Sequence, residues 1–186
     1  MKKKKRIKQK FKRIFKLILT LIILIGIFIN ILYFLYPMKY KDEVLKYANE
    51  YEVSPYLIYA IIKTESNFDS NARSHKDALG LMQIRDITGE WLAKRLDIHQ
   101  YTTDKLHNAD INIRMGSWYI KSLLEKYKDL DTALAAYNAG SGNMDKWLQN
   151  NEYSDDGIKI KKIPFTETRK YVEKVKINRT LYEILY

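Results

Sequence analysis

The residues able to do chemistry gather between Glu65 and Ile84, ESNFDSNARSHKDALGLMQI, where a carboxylate closes an apolar segment and leads into a polar loop and a Gly80 turn. A side chain that donates a proton near neutral pH must hold it more tightly than a solvated carboxylate does. Two features around Glu65 favour that. Upstream, Val53 to Ile62 (VSPYLIYAII) has Ser54 as an N-cap and Pro55 at the first helical position, so it reads as a buried helix that delivers Glu65 at its C-terminal end. There the negative end of the helix dipole and apolar neighbours such as Phe68 both favour the protonated acid. The plain alternative is a solvated glutamate at a helix end. Asp69 and Asp77 lie in the polar loop and read as ordinary solvated acids. His75, His99 and His107 lack a metal-like spacing and the chain has no Cys, so neither a metal site nor a disulfide is expected.

The elements that must position Glu65 are mostly helical. Met38 to Tyr51 carries Val44, Leu45, Ala48 and Tyr51 at helical spacing, and reads as an amphipathic helix continuing from the apolar segment before it. Arg85 to Leu96 reads as a helix with Ile87, Trp91 and Leu92 on one face, followed by a loop over residues 97–106. Asn108 to Tyr127 recovers the 3.6 period through Ile111, Met115, Trp118 and Leu123, and Asp131 to Tyr137 forms a further short helix. Gly140 and Gly142 break it, and Asn143 is expected to cap a turn ending at Trp147 and Leu148. Gln149 to Lys162 has no sustained period. After Pro164, Thr166 is expected to cap a last helix through Tyr171, Val175 and Leu181.

Charge divides the 186-residue chain sharply. Residues 1–16 hold ten Lys or Arg and no acid, leaving 23 bases against 22 acids in the rest, so the net charge of +11 belongs to the tail. A nearly neutral body gives no footing for nucleic-acid binding. Leu17 to Tyr36 is uncharged and dominated by Leu, Ile and Phe. As a helix it spans about 30 Å, the thickness of a bilayer core. Pro37 ends the span, and the basic cluster before it stays cytoplasmic by the positive-inside rule. A cleaved signal peptide is the rival, but Ile31 to Met38 offers no small-residue cleavage pattern. The expected organisation is a basic cytoplasmic tail over 1–16, a transmembrane anchor over 17–36 and one catalytic domain over 37–186, outside the membrane.

Four motifs stand in order beyond the apolar segment. They are Glu65 and Ser66 with Phe68, Ala72, Ser74, Ala78 and Gly80-Leu81-Met82-Gln83; Asn112, Ile113, Gly116 and Tyr119; Ala136-Tyr137-Asn138-Ala139-Gly140; and Pro164, Glu167, Thr168, Arg169, Tyr171 and Val172. Together they resemble the soluble lytic transglycosylase family, goose-lysozyme-like enzymes that cleave bacterial peptidoglycan. The resemblance implies a mainly α, lysozyme-like fold with a small irregular or β-like lobe near Asn71 to Met82. It implies that Glu65 protonates the oxygen between N-acetylmuramic acid and N-acetylglucosamine, then takes the proton from the muramic C6 hydroxyl as that group attacks C1. No metal or organic cofactor is implied, and the partner is the glycan strand; the sequence names no protein partner. Ser74, Met82, Gln83, Tyr137, Asn138, Glu167 and Tyr171 are implied to hold substrate or organise the cleft. Their plainer roles are turn formation for Ser74, backbone capping for Gln83, a wall for Met82, core packing for Tyr137, and an Arg169 pair or capping box for Glu167. The sequence departs from the family pattern at Asp77, Arg85 and Asp86. Two other readings stay open: a hydrolytic lysozyme using the same acid, and a catalytically silent wall-binding scaffold.

Overall fold

The computed structural model describes residues 2–186, with side chains from residue 12 onward, so most of the basic tail expected over 1–16 lies outside the described side chains. It divides into two units, Met1–Pro37 and Met38–Tyr186. The first is a single helix, α1 (Lys2–Leu35). Its Lys12–Leu35 stretch is the one helix among the described residues that is long and apolar enough to cross a membrane.

The second unit is built from seven helices and a two-stranded sheet. α2 (Lys41–Glu50) does not continue from the preceding apolar helix as the sequence reading expected, because the chain turns at Tyr40 in the left-handed region, φ 56°. α3 (Pro55–Glu65) starts with Pro at the head, as its missing N–H permits, and buries every residue from Leu57 to Ile62. A helix apolar on all sides needs cover on all sides. Along one of them runs α8 (Thr166–Leu185), where the rings of Tyr59 and Tyr182 stack at 5.2 Å and Asn178 Nδ2 donates to Thr64 Oγ1 at 2.9 Å. Ser54 occupies the cap position of α3 without a side-chain bond.

α5 (Ala109–Tyr127) is capped by Asn108, whose side chain accepts from Ile111 N, and α6 (Leu130–Ala139) by Asp129, which accepts from Thr132 N. α7 (Ser141–Leu148) follows the Gly140 break directly. Asn143 is no cap there: its Nδ2 donates to Ala139 O at 2.7 Å, inside the helix that Gly140 leads. Thr166 is likewise the first residue of α8 and not its cap, the cap position falling to Phe165.

The small lobe is a hairpin. β1 (Ala78–Leu79) pairs antiparallel with β2 (Ile84–Arg85), Ala78 opposite Arg85 and Leu79 opposite Ile84. Gly80 turns the tip at φ 76°, and a Cβ there would meet Leu106 O at 2.1 Å, so backbone conformation and space both demand glycine. The fully buried Asn112 of α5 ties the hairpin down. Its Oδ1 accepts from Met82 N at 2.7 Å, and its Nδ2 donates to Leu79 O at 3.0 Å and Leu106 O at 2.8 Å. One turn on, Gly116 leaves room for Met82, whose Sδ would lie 2.3 Å from an added Cβ.

α4 (Asp86–Arg95) is rotated from the face the periodicity favoured. Gly89, Leu92 and Ala93 are buried, while Ile87 and Trp91 are 73% and 48% exposed. Asp86 sets that rotation by accepting from Tyr101 Oη at 3.1 Å and Thr103 Oγ1 at 2.7 Å, which draws the Tyr101 hydroxyl onto Gly89. Thr103–His107 forms a 3₁₀ turn that overlaps the end of the stretch expected to be loop.

Candidate active site

The end of α3, the hairpin loop, the C-terminal end of α6 and the start of α8 converge on one cleft of about 220 Å³. That is smaller than a typical ligand cavity of roughly 300–1,000 Å³. Of the residues singled out from sequence, Glu65, Ser74, Gln83, Tyr137, Asn138 and Glu167 line it.

Glu65 keeps some exposed surface as a residue, but its carboxyl group is packed in protein. Burial pushes its pKa from the ordinary 4.5 up to about 7, with the charge of Glu167 acting in the same direction and the Tyr171 phenol and Lys174 opposing it. Desolvation, not the helix dipole alone, is thus the main cause. The cleft contains the group a general acid requires, a carboxyl half-protonated at neutral pH. Asp69 and Asp77 do not join it: Asp69 accepts from Asn71 N, and Asp77 pairs with Arg73 at 2.7 Å on the surface.

Two tyrosines frame the acid. Tyr137 donates its hydroxyl to Met82 O at 2.9 Å, and burial together with the Glu65 charge keeps its phenol neutral. Tyr171 is buried with its hydroxyl toward Glu65, where hydrogen bonding from the phenol favours the carboxylate and works against the rise that burial causes. Asn138 Oδ1 accepts from Thr168 Oγ1 at 2.8 Å. That bond uses the amide's acceptor and leaves its NH₂ as the group to offer a ligand.

The remaining residues sit differently from one another. Ser74 Oγ accepts from Ala78 N and Lys76 N, holding the loop in shape while the residue borders the cleft. Gln83 stands in the left-handed region at φ 50°, and its Nε2 donates to Ala72 O and Gly80 O. Met82 is fully buried and does not line the cleft; it packs on Gly116 and supplies the carbonyl that holds Tyr137. Glu167 makes neither an Arg169 pair nor a capping box. It meets Lys76 at 2.7 Å and so joins the loop wall to the α8 wall, while Arg169 bonds Ile163 O, Pro164 O and Thr166 Oγ1. His75, Arg85, Thr88 and Tyr119 also border the cleft. Tyr119 is a motif residue to which the resemblance gives no site role, and its ring lies 5.2 Å from that of Tyr137.

Known proteins place this arrangement. The family described as Transglycosylase SLT domain matches residues 42–160. The chain is similar to the soluble lytic murein transglycosylase of Salmonella typhimurium, 32% identical over 143 residues, covering 75% of this chain and 22% of that protein. It is 30% identical over 166 residues to membrane-bound lytic murein transglycosylase C of Actinobacillus pleuropneumoniae, covering 77% of this chain and 46% of that one. Among solved structures, a 70 kDa soluble lytic transglycosylase in complex with bulgecin A superposes with a TM-score of 0.73 at 28% identity, over 82% of this chain and 25% of that one. The lytic transglycosylase Slt of Pseudomonas aeruginosa, in an inactive mutant form, gives 0.69 at 31% identity, over 80% and 24%. The chain therefore spans about a quarter of the length of the soluble relatives and shares their lysozyme-like fold. A match running from α2 to beyond α7, around a hairpin and cleft built as described, shows that this chain belongs to the transglycosylase SLT family.

Proposed function

We propose that the chain is a membrane-anchored peptidoglycan lytic transglycosylase. The observation that carries the reading is the buried Glu65 carboxyl in the cleft, its pKa raised to about 7, framed by Tyr137 and Tyr171. In its first step Glu65 gives its proton to the glycosidic oxygen of the bond between N-acetylmuramic acid and N-acetylglucosamine, and the C1–O bond breaks. The substrate's own N-acetyl oxygen stabilises C1, the role a second carboxylate plays in most glycosidases, since Glu167 is engaged by Lys76 at the cleft wall. In the second step the muramic C6 hydroxyl attacks C1, its proton passes to the Glu65 carboxylate, and a 1,6-anhydro ring closes. Glu65 ends protonated, ready for another turnover. Tyr137 and Tyr171 frame the acid, the Tyr171 phenol steadying its carboxylate form, and the Asn138 NH₂ is placed to bind an acetamido carbonyl.

Residues 17–36, most of which lie in the apolar Lys12–Leu35 stretch, serve as the anchor in this reading, with residues 1–16 in the cytoplasm and the unit beginning at Met38 on the outer face of the membrane. The basic tail and a relative named as membrane-bound support it.

The deciding experiment is mass analysis of peptidoglycan fragments released by the full chain in detergent. Anhydromuramic ends, one water lighter than reducing ends, are the expected product. Reducing ends would mean hydrolysis with the same acid, and binding without release would mean a wall-binding scaffold. The pH profile follows from the chemistry. Only protonated Glu65 can start the reaction, so kcat/KM falls as pH rises through about 7. Glu167→Gln removes a like charge that raises the Glu65 pKa, so the falling limb moves to lower pH in that variant.

A further inference from the structure

We propose that a groove between α8 and the loop over residues 149–163 is a seat for an anionic bilayer surface, a membrane contact of the second unit in addition to the apolar helix. The proposal rests on the reading of that helix as a membrane anchor.

The groove measures about 550 Å³, and Ile160, Ile163, Val172 and Ile177 give it an apolar floor. Ile177 is 59% exposed, and Ile158, two residues before Ile160, is 56% exposed. Both stand in a fixed frame. Ile177 belongs to α8, and the loop is tied down by its backbone: Ile158 N and Lys159 N each donate to Asp156 Oδ1 at 2.8 Å, and Ile160 N donates to Thr132 Oγ1 of α6 at 3.1 Å. Apolar side chains held ready in this way lose little conformational freedom on entering a bilayer interface.

Charge names the occupant. Gly157 to Ile177 carries seven Lys or Arg against Glu167 and Glu173, whereas residues 17–186 as a whole carry 23 against 22. Lys161, Lys162, Arg169 and Lys176 stand on the rim of the groove. Lys161 pairs with Asp155, Lys162 with Glu152 and Lys176 with Asp131. Those pairs are solvent-exposed and weak, so the ammonium groups are free to turn to lipid phosphates. Isoleucines among cations suit a surface that is anionic outside and apolar just below, where buried apolar area and electrostatic attraction act together. A soluble polyanion would leave the isoleucines in water. Five residues, Tyr36 to Tyr40, link the apolar helix to α2, so an anchored unit stays within reach of the bilayer. The catalytic cleft stays free, because Arg169, Glu173 and Lys176 project from the side of α8 roughly opposite to Tyr171, which faces Glu65.

The test exploits a chain without Cys. A polarity-sensitive fluorophore is attached to Ile158→Cys or Ile177→Cys in the full chain, carried in nanodiscs of phosphatidylcholine alone or mixed with phosphatidylglycerol. In the mixed discs the emission of both labels is expected to shift to the blue, as in an apolar medium, and in phosphatidylcholine to stay as in water. Lys161→Gln with Lys162→Gln is expected to lower the ratio of lipid-buried to water-exposed label about thirtyfold, the equivalent of about 1 kcal/mol per lysine at an anionic surface. A label on Ile87→Cys of α4 is expected to report water in both lipids. Labels at Ile158→Cys and Ile177→Cys that report water in the mixed discs overturn the proposal, as does an Ile87→Cys label buried as deeply, which would mean indiscriminate adsorption. If the full chain does not enter the discs, the anchor reading fails by itself. The same labels on the chain mixed with phosphatidylglycerol vesicles then still decide the groove, a blue shift supporting it and a water-like emission overturning it.

Discussion

Glu65→Gln is expected to lower glycan cleavage by at least about 10³-fold, the upper part of the range for loss of a general acid. The substitution keeps the size and shape of the side chain but removes the proton that leaves and the carboxylate that takes one back. It should act on kcat and leave strand binding close to that of the wild type, because the amide still fits the space between Tyr137 and Tyr171. A stability measurement separates this from misfolding. The folded-state pKa of Glu65 is about 7 against 4.5 when solvated, so between those values the native state binds more protons than the unfolded chain. Stability contributed by the protonated form is therefore complete below pH 4.5, falls as pH rises through the window, and is lost above about 7. Glu65→Gln does not titrate, so at pH 8 it should be more stable than the wild type, by as much as about 3 kcal/mol. An inactive variant that unfolds at lower denaturant than the wild type at pH 8 would contradict the assignment of Glu65 as a desolvated acid.

The second large effect is structural. Asn112→Ala removes three buried hydrogen bonds and strands Met82 N–H, Leu79 C=O and Leu106 C=O away from water. Each unpaired buried group costs about 1–3 kcal/mol, and partial relaxation brings the expected loss to roughly 3–5 kcal/mol. That is a large fraction of the 5–15 kcal/mol typical of a folded domain. Urea titration should show a lower midpoint with an unchanged slope. Amide exchange at Met82 should accelerate well before global unfolding, since the hairpin loses its tie to α5 while α3 and α8 keep theirs. A loss under 1 kcal/mol would mean that the hairpin is held by packing alone.

These two residues differ in how visible they are in the sequence. Glu65 is legible because its helix is local: Pro55 starts it, an unbroken apolar run fills it, and an acid ends it. Asn112 is recognisable only as a motif letter. Its work lies in bonds to Met82, 30 residues earlier, and no periodicity reports a partner so distant. The strands are two residues long, too short for alternation to register. The cap positions at Thr166 and Asn143 were misplaced because Phe165 and Gly140 take the required backbone angles without side-chain bonds. Met82, implied to hold substrate or organise the cleft, is fully buried and props Tyr137 from behind, since a motif places a residue near a site without saying which way it faces. Ile87 and Trp91 show the same limit. Helical spacing puts them near Leu92 on the wheel, but Tyr101 and Thr103 turn α4 about Asp86, and the two side chains swing outward.

The Lys76–Glu167 bridge has a bearing on how a polymer enters. Both side chains are more than half exposed, so the tie is worth about 1 kcal/mol at most and its ends exchange with water on the nanosecond scale. Such a crossbar behaves as a turnstile, not a bolt. Added salt, by weakening the bar, lets the loop wall and the α8 wall part more easily.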